Sequence, residues 1–520
     1  MFFGKALNNL DKMSQKLRLF STNNKLMYLI NPALDGHLSS YPNDYAFPPL
    51  GIIQVGTQAH KTTDWKTKIF DAQITPHDEI IKQMSIDRPS VVGLSVLAET
   101  YNNSITFAEE AKKIGATTVL GNDQASLLGK NILKKKDCVD IICTAEYGEF
   151  FITPFLQYME GKIAVEDVPF MYYRKDGQVE ATAVQEAKFG REKYKLDKFP
   201  IPDRTLISPD IWKIYAKNYN TTYGHLHKNE VLGVTTINRG RGCNRGNGSA
   251  RCAYCGILDL STKVSSPQKF WEDVQQAHDD INAEIFYEVF DSLSSVPVWV
   301  RSLIDARPKH LANKQFFVYA QAKDVTPEVI KLYNEFNVSM LNMGLDSGDD
   351  VMLKRLKGKK DSVEANRNAL ILIKKGGMAA FGSFVLGSIG ETRESLQNTV
   401  NFCKWIVDNG LAAALEAQPL MVRVNSRIGK YFDNPNMAEI DMFSMGLKIN
   451  HLELLKETSK SWSKEDVIDT PYMSDVYAQC FTNVTYQELI DAANEIVSYT
   501  KKAGLGSGSV GIRTDYVPIA

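Results

Sequence analysis

Residues 234–259 read VTTINRGRGCNRGNGSARCAYCGILD and place three of the chain's seven cysteines in one short stretch. The residues just before them, Val231 to Ile237, are apolar and rich in β-branched side chains, which predicts a strand running into a loop. Cys243, Cys252 and Cys255 have the spacing C-x8-C-x2-C, and the glycines among them let the backbone fold tightly. The pattern therefore predicts three thiolates that converge on one inorganic centre.

Three thiolates are one fewer than a closed site needs, because protein-bound iron-sulfur clusters and structural zinc sites normally have four ligands. The set indicates a metal centre with one position left for a ligand from outside the protein. A zinc site completed by His225 or His227 is an alternative, although no second C-x2-C pair follows at the expected spacing. Disulfides are disfavoured by the odd cysteine count and by the lack of a secretion signal.

The bulk composition is that of an ordinary globular protein. Its 520 residues, 44% hydrophobic and 23% charged, are enough for two to four domains. Sixty basic and 61 acidic residues leave a net charge of −1, so no global field favours nucleic acid or an anionic membrane. No apolar run approaches the roughly 20 residues of a spanning helix. We therefore expect a cytoplasmic protein with no transmembrane segment and no nucleic-acid partner.

Residues 1–25 are expected to form an N-terminal helix. Phe3, Leu7, Leu10 and Leu17 recur at helical spacing, with lysines between them. Such a helix can lie on a membrane surface or dock on the body of the protein, and docking is the commoner outcome.

Residues 26–160 alternate short apolar strands with helical stretches. This α/β pattern predicts a doubly wound, Rossmann-like parallel sheet that binds ligands at the carboxyl ends of its strands. Residues 161–230 are expected to be a connector, in which Pro200 and Pro202 predict an extended strap.

From residue 231 to 430 the alternation returns, which predicts a partial (β/α)6 TIM-type barrel with its chemistry at the strand ends. Asp291, Gln321 and Lys323 are expected near the ends of the second and third strands. Residues 431–520 are expected to form a mainly helical capping region, and the glycine-rich stretch 503–511 is expected to be flexible. Cys138, Cys143, Cys403 and Cys480 lie in apolar surroundings typical of small core residues.

The cysteine loop resembles that of the radical S-adenosylmethionine (SAM) superfamily, whose [4Fe-4S] cluster is bound by C-x3-C-x2-C and whose fourth iron is chelated by SAM. The resemblance implies that Cys243, Cys252 and Cys255 are cluster ligands. It also implies that Tyr254, the aromatic residue before the last cysteine, lies against SAM. The first spacing here is eight residues instead of three, a longer loop of the kind found in some branches.

Two later segments are similar to SAM-binding strand ends of the same superfamily. NMGLDSG (342–348) resembles a G-x-E-S-G segment, which implies contacts from Gly344, Asp346 and Ser347, with Asp346 where Glu is usual. FVLGSIGETRES (384–395) resembles a segment ending G-x-P-G-E-T-x-E-S, which implies backbone contacts from Gly387 and Ile389.

The set PSVVGLSV (89–96), VLGN (119–122) and VDIICTAEYGE (139–149) is similar to the cobalamin-binding domain that precedes the barrel in one branch of the superfamily. The resemblance implies cobalamin contacts from strand-end residues: Gly93, Ser95, Gly121, Glu146 and Gly148. His37 partly matches a cobalt-binding motif, but a loop or substrate-facing role fits it as well. A flavodoxin-like domain that binds nothing, or binds another cofactor, is the alternative.

Together these resemblances imply a cobalamin-dependent radical SAM enzyme. It would cleave SAM reductively to a 5′-deoxyadenosyl radical and methylate an unactivated carbon of a small molecule or peptide, with electrons from a donor such as flavodoxin or ferredoxin. The same cofactors also serve cyclisation, ring contraction or aminocarboxypropyl transfer. A non-catalytic cobalamin- or metal-binding sensor is the alternative from another class.

Three arginines are candidate contacts for an anionic substrate. Arg245 and Arg251 lie in the loop between the first two metal-binding cysteines, and Arg423 follows the sixth expected strand of the barrel. Arg423 is as well suited to pair with a neighbouring carboxylate.

Overall fold

The computed structural model describes residues 24–35, 46–182, 195–245, 251–257, 261–462 and 464–508. The described chain divides into two compact units, one of residues 24–33, 49–182 and 198–207, the other of the remaining residues. Most of the expected N-terminal helix and His37 lie outside the described residues.

The sheet of the first unit has seven strands: β1 (Leu26–Asn31), β2 (Lys66–Asp71), β3 (Val91–Ser95), β4 (Thr117–Gly121), β5 (Ile141–Cys143), β6 (Met171–Lys175) and β7 (Gln178–Ala181). Their order is β2-β1-β3-β4-β5-β6-β7. The first five are parallel, whereas β6 and β7 add an antiparallel hairpin. The strand order reverses between β1 and β3, which is the switch point where doubly wound sheets bind ligands.

Five helices connect the strands of the first unit: α1 (Leu50–Thr62), α2 (His77–Asp87), α3 (Tyr101–Lys113), α4 (Asp123–Lys135) and α5 (Gly148–Met159). The strap with the two prolines lies along α1, because Gln54 donates to the Pro200 carbonyl (2.9 Å) and the Asp203 amide donates to Thr57 (2.8 Å). The β6–β7 hairpin lies in the range expected to be connector, so the first sheet runs on to residue 181.

The second unit contains nine further strands: β8 (Val234–Ile237), β9 (Gly240–Arg241), β10 (Lys263–Val264), β11 (Ile285–Glu288), β12 (Gln315–Tyr319), β13 (Val338–Asp346), β14 (Ala379–Leu386), β15 (Ala414–Pro419) and β16 (Gly506–Gly508). β9 and β10 form a small antiparallel pair. The other seven form a parallel sheet in the order β8-β11-β12-β13-β14-β15-β16. The expected strand–helix alternation of a partial barrel is therefore confirmed.

The seventh strand of that sheet differs from the expectation. Gly506–Gly508 belongs to the glycine-rich stretch expected to be flexible, yet it pairs in parallel with β15. The edge of a sheet presents unpaired backbone groups, and a segment of small residues can approach them closely. Sequence composition showed the small residues but not the strand edge beside them.

Twelve helices cover the second sheet and form the helical C-terminal region: α6 (Pro209–Tyr223), α7 (Pro267–Ile281), α8 (Pro297–Asp305), α9 (Pro327–Phe336), α10 (Asp350–Lys357), α11 (Val363–Lys375), α12 (Arg393–Asp408), α13 (Gly429–Asp433), α14 (Pro435–Ser444), α15 (Leu452–Trp462), α16 (Thr470–Phe481) and α17 (Tyr486–Lys502). α12 begins with a capping box, because Thr392 accepts from the Ser395 amide and the Thr392 amide donates to the Ser395 hydroxyl.

The main core of the second unit lies between the sheet and its helices. Phe316 of β12 stacks on Phe336 of α9 with ring centroids 4.4 Å apart, and Phe270 of α7 packs against both. In the part of the chain that the structure describes, no helix is both long and apolar enough to cross a membrane. Packing of the sheet against its helices leaves the loops at the strand ends to carry the site.

Candidate active site

The cysteine loop begins where β8 ends, at the carboxyl edge of the second sheet. The Gly242 amide donates to Asp291, just after β11 (2.9 Å), and the Arg239 amide donates to Glu288 of the same strand (3.0 Å). Burial raises the pKa of Glu288 to about 8, although hydrogen bonds from the backbone amides of Arg239 and Gly240 act in the opposite direction. Arg239 itself is buried and pairs with Asp273 of α7 at 2.7 Å. These contacts fix where the chain enters the loop.

The three thiols are partly buried and lie within electrostatic range of one another. Burial raises the pKa of Cys252 to about 11, although the charges of Lys357 and Arg245 lower it. Burial likewise raises the pKa values of Cys243 and Cys255, and the thiolate charge of Cys255 contributes to the shift at both other cysteines. Arg245, which lies 4.0 Å from the Cys252 Sγ, would suit the negative charge of a thiolate-bound iron-sulfur cluster.

The described residues, which include all three cysteines of the loop, show no pre-formed site for a metal ion. Among them, no group of three cysteine, histidine or acidic side chains has the arrangement of such a site, so the three cluster ligands stay predictions. His227, weighed as a fourth ligand, instead hydrogen-bonds the Tyr219 hydroxyl at 2.9 Å. The four remaining cysteines are free thiols; Cys143, Cys403 and Cys480 are buried and Cys138 is half-buried.

Arg245 is held inside the protein by contacts from three directions. Its side chain donates to Gln321 (2.7 Å) and to the Lys357 carbonyl (2.7 Å), and it pairs with Asp361. The residue is only 9% exposed. Its assignment to an anionic substrate stays a prediction, and these contacts favour a role in holding the loop.

Arg251 and Arg423 lie on the other side of the loop. Arg251 donates to the carbonyls of Cys255 (3.0 Å) and Ile257 (2.7 Å). The Asn425 amide donates to the Gly256 carbonyl at 2.6 Å. A Cβ atom on Gly256 would stand 3.0 Å from the Cβ of Arg423, so the loop packs tightly on the segment after β15. A substrate role for either arginine stays a prediction.

Asp346 and Gly344, both predicted to bind SAM, are contacted by the side chain of the buried Lys357. The Tyr254 hydroxyl donates to the Asp346 carboxylate (3.1 Å), which Lys357 of α10 also binds (2.8 Å). Lys357 donates as well to the Gly344 carbonyl at 2.6 Å. The contacts join the cysteine loop directly to the end of β13.

The charge on Lys357 is maintained despite its burial. Burial disfavours the ammonium, but the carboxylate of Asp346 and the nearby charges of Cys252 and Asp361 hold the pKa of Lys357 above its usual value. Asp346 adopts a left-handed backbone conformation with φ of 59°, where the pairing of β13 with β14 shifts register. A non-glycine residue in this region is uncommon and often marks a functional position.

The other predicted SAM contacts lie at the turn after β14 and at the start of α10. Gly387 has φ of 92°, and Arg355 donates to the Ile389 carbonyl at 2.9 Å. Ser347 is buried and hydrogen-bonds Thr399 of α12 at 3.0 Å. The structure therefore joins Tyr254 directly to Asp346, and Asp346 to Gly344 through Lys357, whereas Ser347, Gly387 and Ile389 have separate supports.

In the first unit, the residues predicted to contact cobalamin have mixed surroundings. Ser95 accepts from the Asn122 amide (3.0 Å), joining the ends of β3 and β4. Asn122 has φ of 75°, a backbone conformation that glycine adopts more readily than other residues, and it also caps α4.

The two outer glycines of that set are tightly packed. A Cβ atom on Gly93 would lie 2.6 Å from the Leu29 side chain, and one on Gly148 would lie 2.6 Å from Val55. One on Gly121 would meet only the Cβ of Cys143, at an ordinary 3.8 Å. Glu146 begins the segment that leads into α5. Packing accounts for Gly93 and Gly148, and their contacts with cobalamin stay predictions.

Sequence reasoning did not single out several residues that shape the site. Lys357, Asp361 and Arg355 lie in or just after α10, and the basic run KRLKGKK (354–360) was the available signal. On the second sheet, Tyr287 hydrogen-bonds Tyr319 and accepts from Asn342 (3.3 Å). No motif signals these side chains, because strand pairing brings them together.

The fold and site define an enzyme with a parallel half-barrel and a three-cysteine loop after its first strand. Residues 237–403 match the sequence profile of the radical SAM superfamily, from the end of β8 into α12. This part of the chain is a radical SAM domain, which implies a [4Fe-4S] cluster and SAM as cofactors, and the chain shares the fold of two cobalamin-dependent enzymes of known structure.

Two relatives resemble the chain at low sequence identity. An uncharacterized methyltransferase of Pyrococcus horikoshii is 20% identical over 365 residues, which cover 69% of this chain and 73% of the relative. The anaerobic magnesium-protoporphyrin IX monomethyl ester cyclase of Rubrivivax gelatinosus is 20% identical over 348 residues, 63% of this chain and 56% of the cyclase. The chain thus spans little more than half of the cyclase.

Two solved structures share the fold. The cobalamin-dependent SAM radical enzyme OxsB, with aqua-cobalamin bound, matches with a TM-score of 0.59 and 15% identity over 82% of this chain and 62% of its own. The radical SAM methyltransferase TsrM of Kitasatospora setae, with cobalamin and a [4Fe-4S] cluster bound, matches with a TM-score of 0.59 and 13% identity, covering 79% of this chain and 78% of its own.

Proposed function

We propose that the protein is a cobalamin-dependent radical SAM methyltransferase that methylates an unactivated carbon of a small molecule or peptide. The observation that carries the proposal is the link from the cysteine loop through Tyr254 to Asp346 and Lys357 at the end of β13. The name of the Pyrococcus horikoshii relative and the cofactors in the TsrM structure support the methyltransferase assignment.

The chain's own residues divide the work of binding and orientation. Cys243, Cys252 and Cys255 would hold the cluster and leave one iron for SAM. Tyr254 and Asp346 would shape the SAM side of the site, because Lys357 fixes the carboxylate of Asp346 in a buried position. When bound, the cluster and SAM supply radical chemistry and cobalamin supplies a methyl group.

The first unit would hold cobalamin at the carboxyl edge of its sheet. Ser95 and Asn122 join two neighbouring strand ends there, close in sequence to Gly121. Doubly wound sheets bind ligands at this edge, and the OxsB and TsrM structures contain cobalamin. We infer that electrons reach the cluster from a small donor such as flavodoxin or ferredoxin.

Cyclisation is the second candidate, because the Rubrivivax gelatinosus relative is named as a cyclase. Product analysis separates the two. Methyl transfer would convert part of the SAM to S-adenosylhomocysteine and add a methyl group to the substrate. Cyclisation without methyl transfer would give 5′-deoxyadenosine but no methylated product.

The test begins with anaerobic purification in the presence of iron, sulfide and cobalamin, followed by metal analysis and an absorption spectrum. We expect about four iron and one cobalt per chain. A variant with Cys243, Cys252 and Cys255 all changed to Ala should lose the iron and keep the cobalt. Cys138→Ala is the matched control and should keep both metals.

The remaining outcomes decide between parts of the proposal. Iron without cobalt would keep the radical chemistry and remove cobalamin. Zinc without iron would contradict the proposal. Iron that persists in the triple variant would exclude the three cysteines as its ligands.

A further inference from the structure

The loop between Cys243 and Cys252 is longer than the superfamily pattern, and it has an arginine at each end. Arg245 and Arg251 are the second residue after Cys243 and the residue just before Cys252. Both are described in the structure, and each reaches a different part of the three-cysteine set. The two ends of this loop therefore place two cations among the three cysteines.

Arg245 contacts two of the three sulfur atoms. Its amide donates to the Cys243 Sγ at 3.5 Å, and its guanidinium lies 4.0 Å from the Cys252 Sγ. Gln321 supports the same arrangement, because it accepts from Arg245 and donates to the Cys243 Sγ at 3.8 Å. Asp361 forms an ion pair with the same guanidinium and so fixes its orientation. Arg245 is thus oriented before any cofactor binds.

Arg251 lies at the third cysteine. Its guanidinium donates to the carbonyls on either side of Gly256, those of Cys255 and Ile257. Arg251 therefore fixes the backbone on both sides of Gly256, directly after the third cysteine.

We propose that Arg245 and Arg251 are positioning residues for the iron-sulfur cluster, which hold its loop and supply positive charge beside its sulfur atoms. A cluster gains negative charge when it accepts an electron, so fixed cations and N–H donors at its sulfurs favour the reduced form. The proposal rests on the cluster assigned under the proposed function. In this way the two arginines make electron entry to the cluster easier.

The test measures the reduction potential of the cluster in the reconstituted full-length protein. Wild type, Arg245→Gln, Arg245→Lys, Arg251→Gln and Arg251→Lys would be titrated with dithionite as the one-electron reductant, without SAM or substrate, and followed by electron paramagnetic resonance. We expect each Gln variant to make reduction about tenfold less favourable, which lowers a one-electron potential by about 59 mV. The Lys variants should keep most of the wild-type potential because they keep the charge.

Arg301→Gln is the control, since Arg301 pairs with Glu335 on the outer helices. Its potential should equal that of wild type. If Arg245→Gln fails to fold, the Arg245→Gln, Asp361→Asn double variant removes the unpaired carboxylate. It should show a smaller lowering of the potential, because a negative charge is lost together with the positive charge that lies 4.0 Å from the Cys252 Sγ. Unshifted potentials in the Gln variants would overturn the proposal, even if their iron content fell. Wild type without iron would instead overturn the proposed function.

Discussion

At the carboxyl end of β13, Asp346 binds the side chains of Tyr254 and Lys357, whereas at the carboxyl end of β3, Ser95 accepts a hydrogen bond from Asn122. Both strands run parallel to their neighbours, and both sheets carry predicted cofactor residues at this edge. In the second sheet, a buried lysine and carboxylates join the loops. In the first, close packing against Gly93 and Gly148 accounts for two of the predicted residues.

The difference shows that a family motif can carry two kinds of constraint. A polar residue in a motif, such as Asp346, needs partners for its charge once it is buried. A glycine in a motif can be needed only because a neighbouring side chain occupies the space of its Cβ atom. Stability measurements on variants separate the two.

The largest effect should come from Lys357→Met. The ammonium is 8% exposed and binds Asp346, which is 2% exposed, so its removal leaves a buried carboxylate unpaired. We expect a loss of about 3–5 kcal/mol in the free energy of unfolding, measured by urea denaturation of the cluster-free protein. Adding Asp346→Asn should recover part of it. A loss below about 1 kcal/mol would mean that the ion pair of Lys357 and Asp346 contributes little to the stability of the fold.

Glu288 should give the second sheet a pH dependence. Its pKa is about 8 in the folded protein and about 4.3 in an unfolded chain, so between these values only the folded state holds the proton. The contribution of Glu288 to the free energy of unfolding is therefore largest below the unfolded pKa, and it falls as the pH rises to about 8. Between about pH 6 and pH 8, the free energy of unfolding of wild type should fall by about 2–3 kcal/mol more than that of Glu288→Gln.

Urea denaturation of both proteins at several pH values checks this. The Gln side chain stays neutral and can still accept from the Arg239 amide, which makes it the matched comparison. Parallel stability curves for the two proteins would exclude Glu288 as the source of the pH dependence.

In the first unit, Gly148→Ala should destabilise by about 2 kcal/mol, because the new Cβ atom would stand 2.6 Å from Val55 and force the two helices apart. Val55→Ala in the same chain should restore most of the stability. If the double variant also binds cobalamin as wild type does, measured by absorption titration, Gly148 is present for packing. If the double variant regains stability but does not bind cobalamin, Gly148 is needed for cofactor binding and not only for packing.

The smallest effect should come from Asn122. Asn122→Gly relieves the backbone strain at φ of 75° but loses the cap on α4 and adds freedom to the unfolded chain. We expect a gain of about 0.5 kcal/mol. Asn122→Ala keeps the strain and loses the cap, so it should lose about 1 kcal/mol. If urea denaturation gives the two variants equal stability, backbone strain at position 122 does not affect the free energy of unfolding.

Much of the fold was predictable because it repeats a local signal. In the sequence, buried parallel strands such as β3 and β13 are apolar runs between helical stretches, and that pattern predicted both sheets. The strand β16 was not predictable, since three small residues carry no periodicity and pair only because β15 has a free edge. The β6–β7 hairpin was missed for a related reason: its strands carry many polar residues.

The amino-acid sequence by itself determined the class of chemistry, because C-x8-C-x2-C sets the number and kind of metal-binding atoms within one loop. Only the tertiary structure decided what surrounds those atoms. Lys357 and Asp361 lie more than a hundred residues from Cys252 in the chain, and neither belongs to a motif. They reach the cysteine loop because parallel strands gather their ends at one edge, where buried charges must find opposite charges.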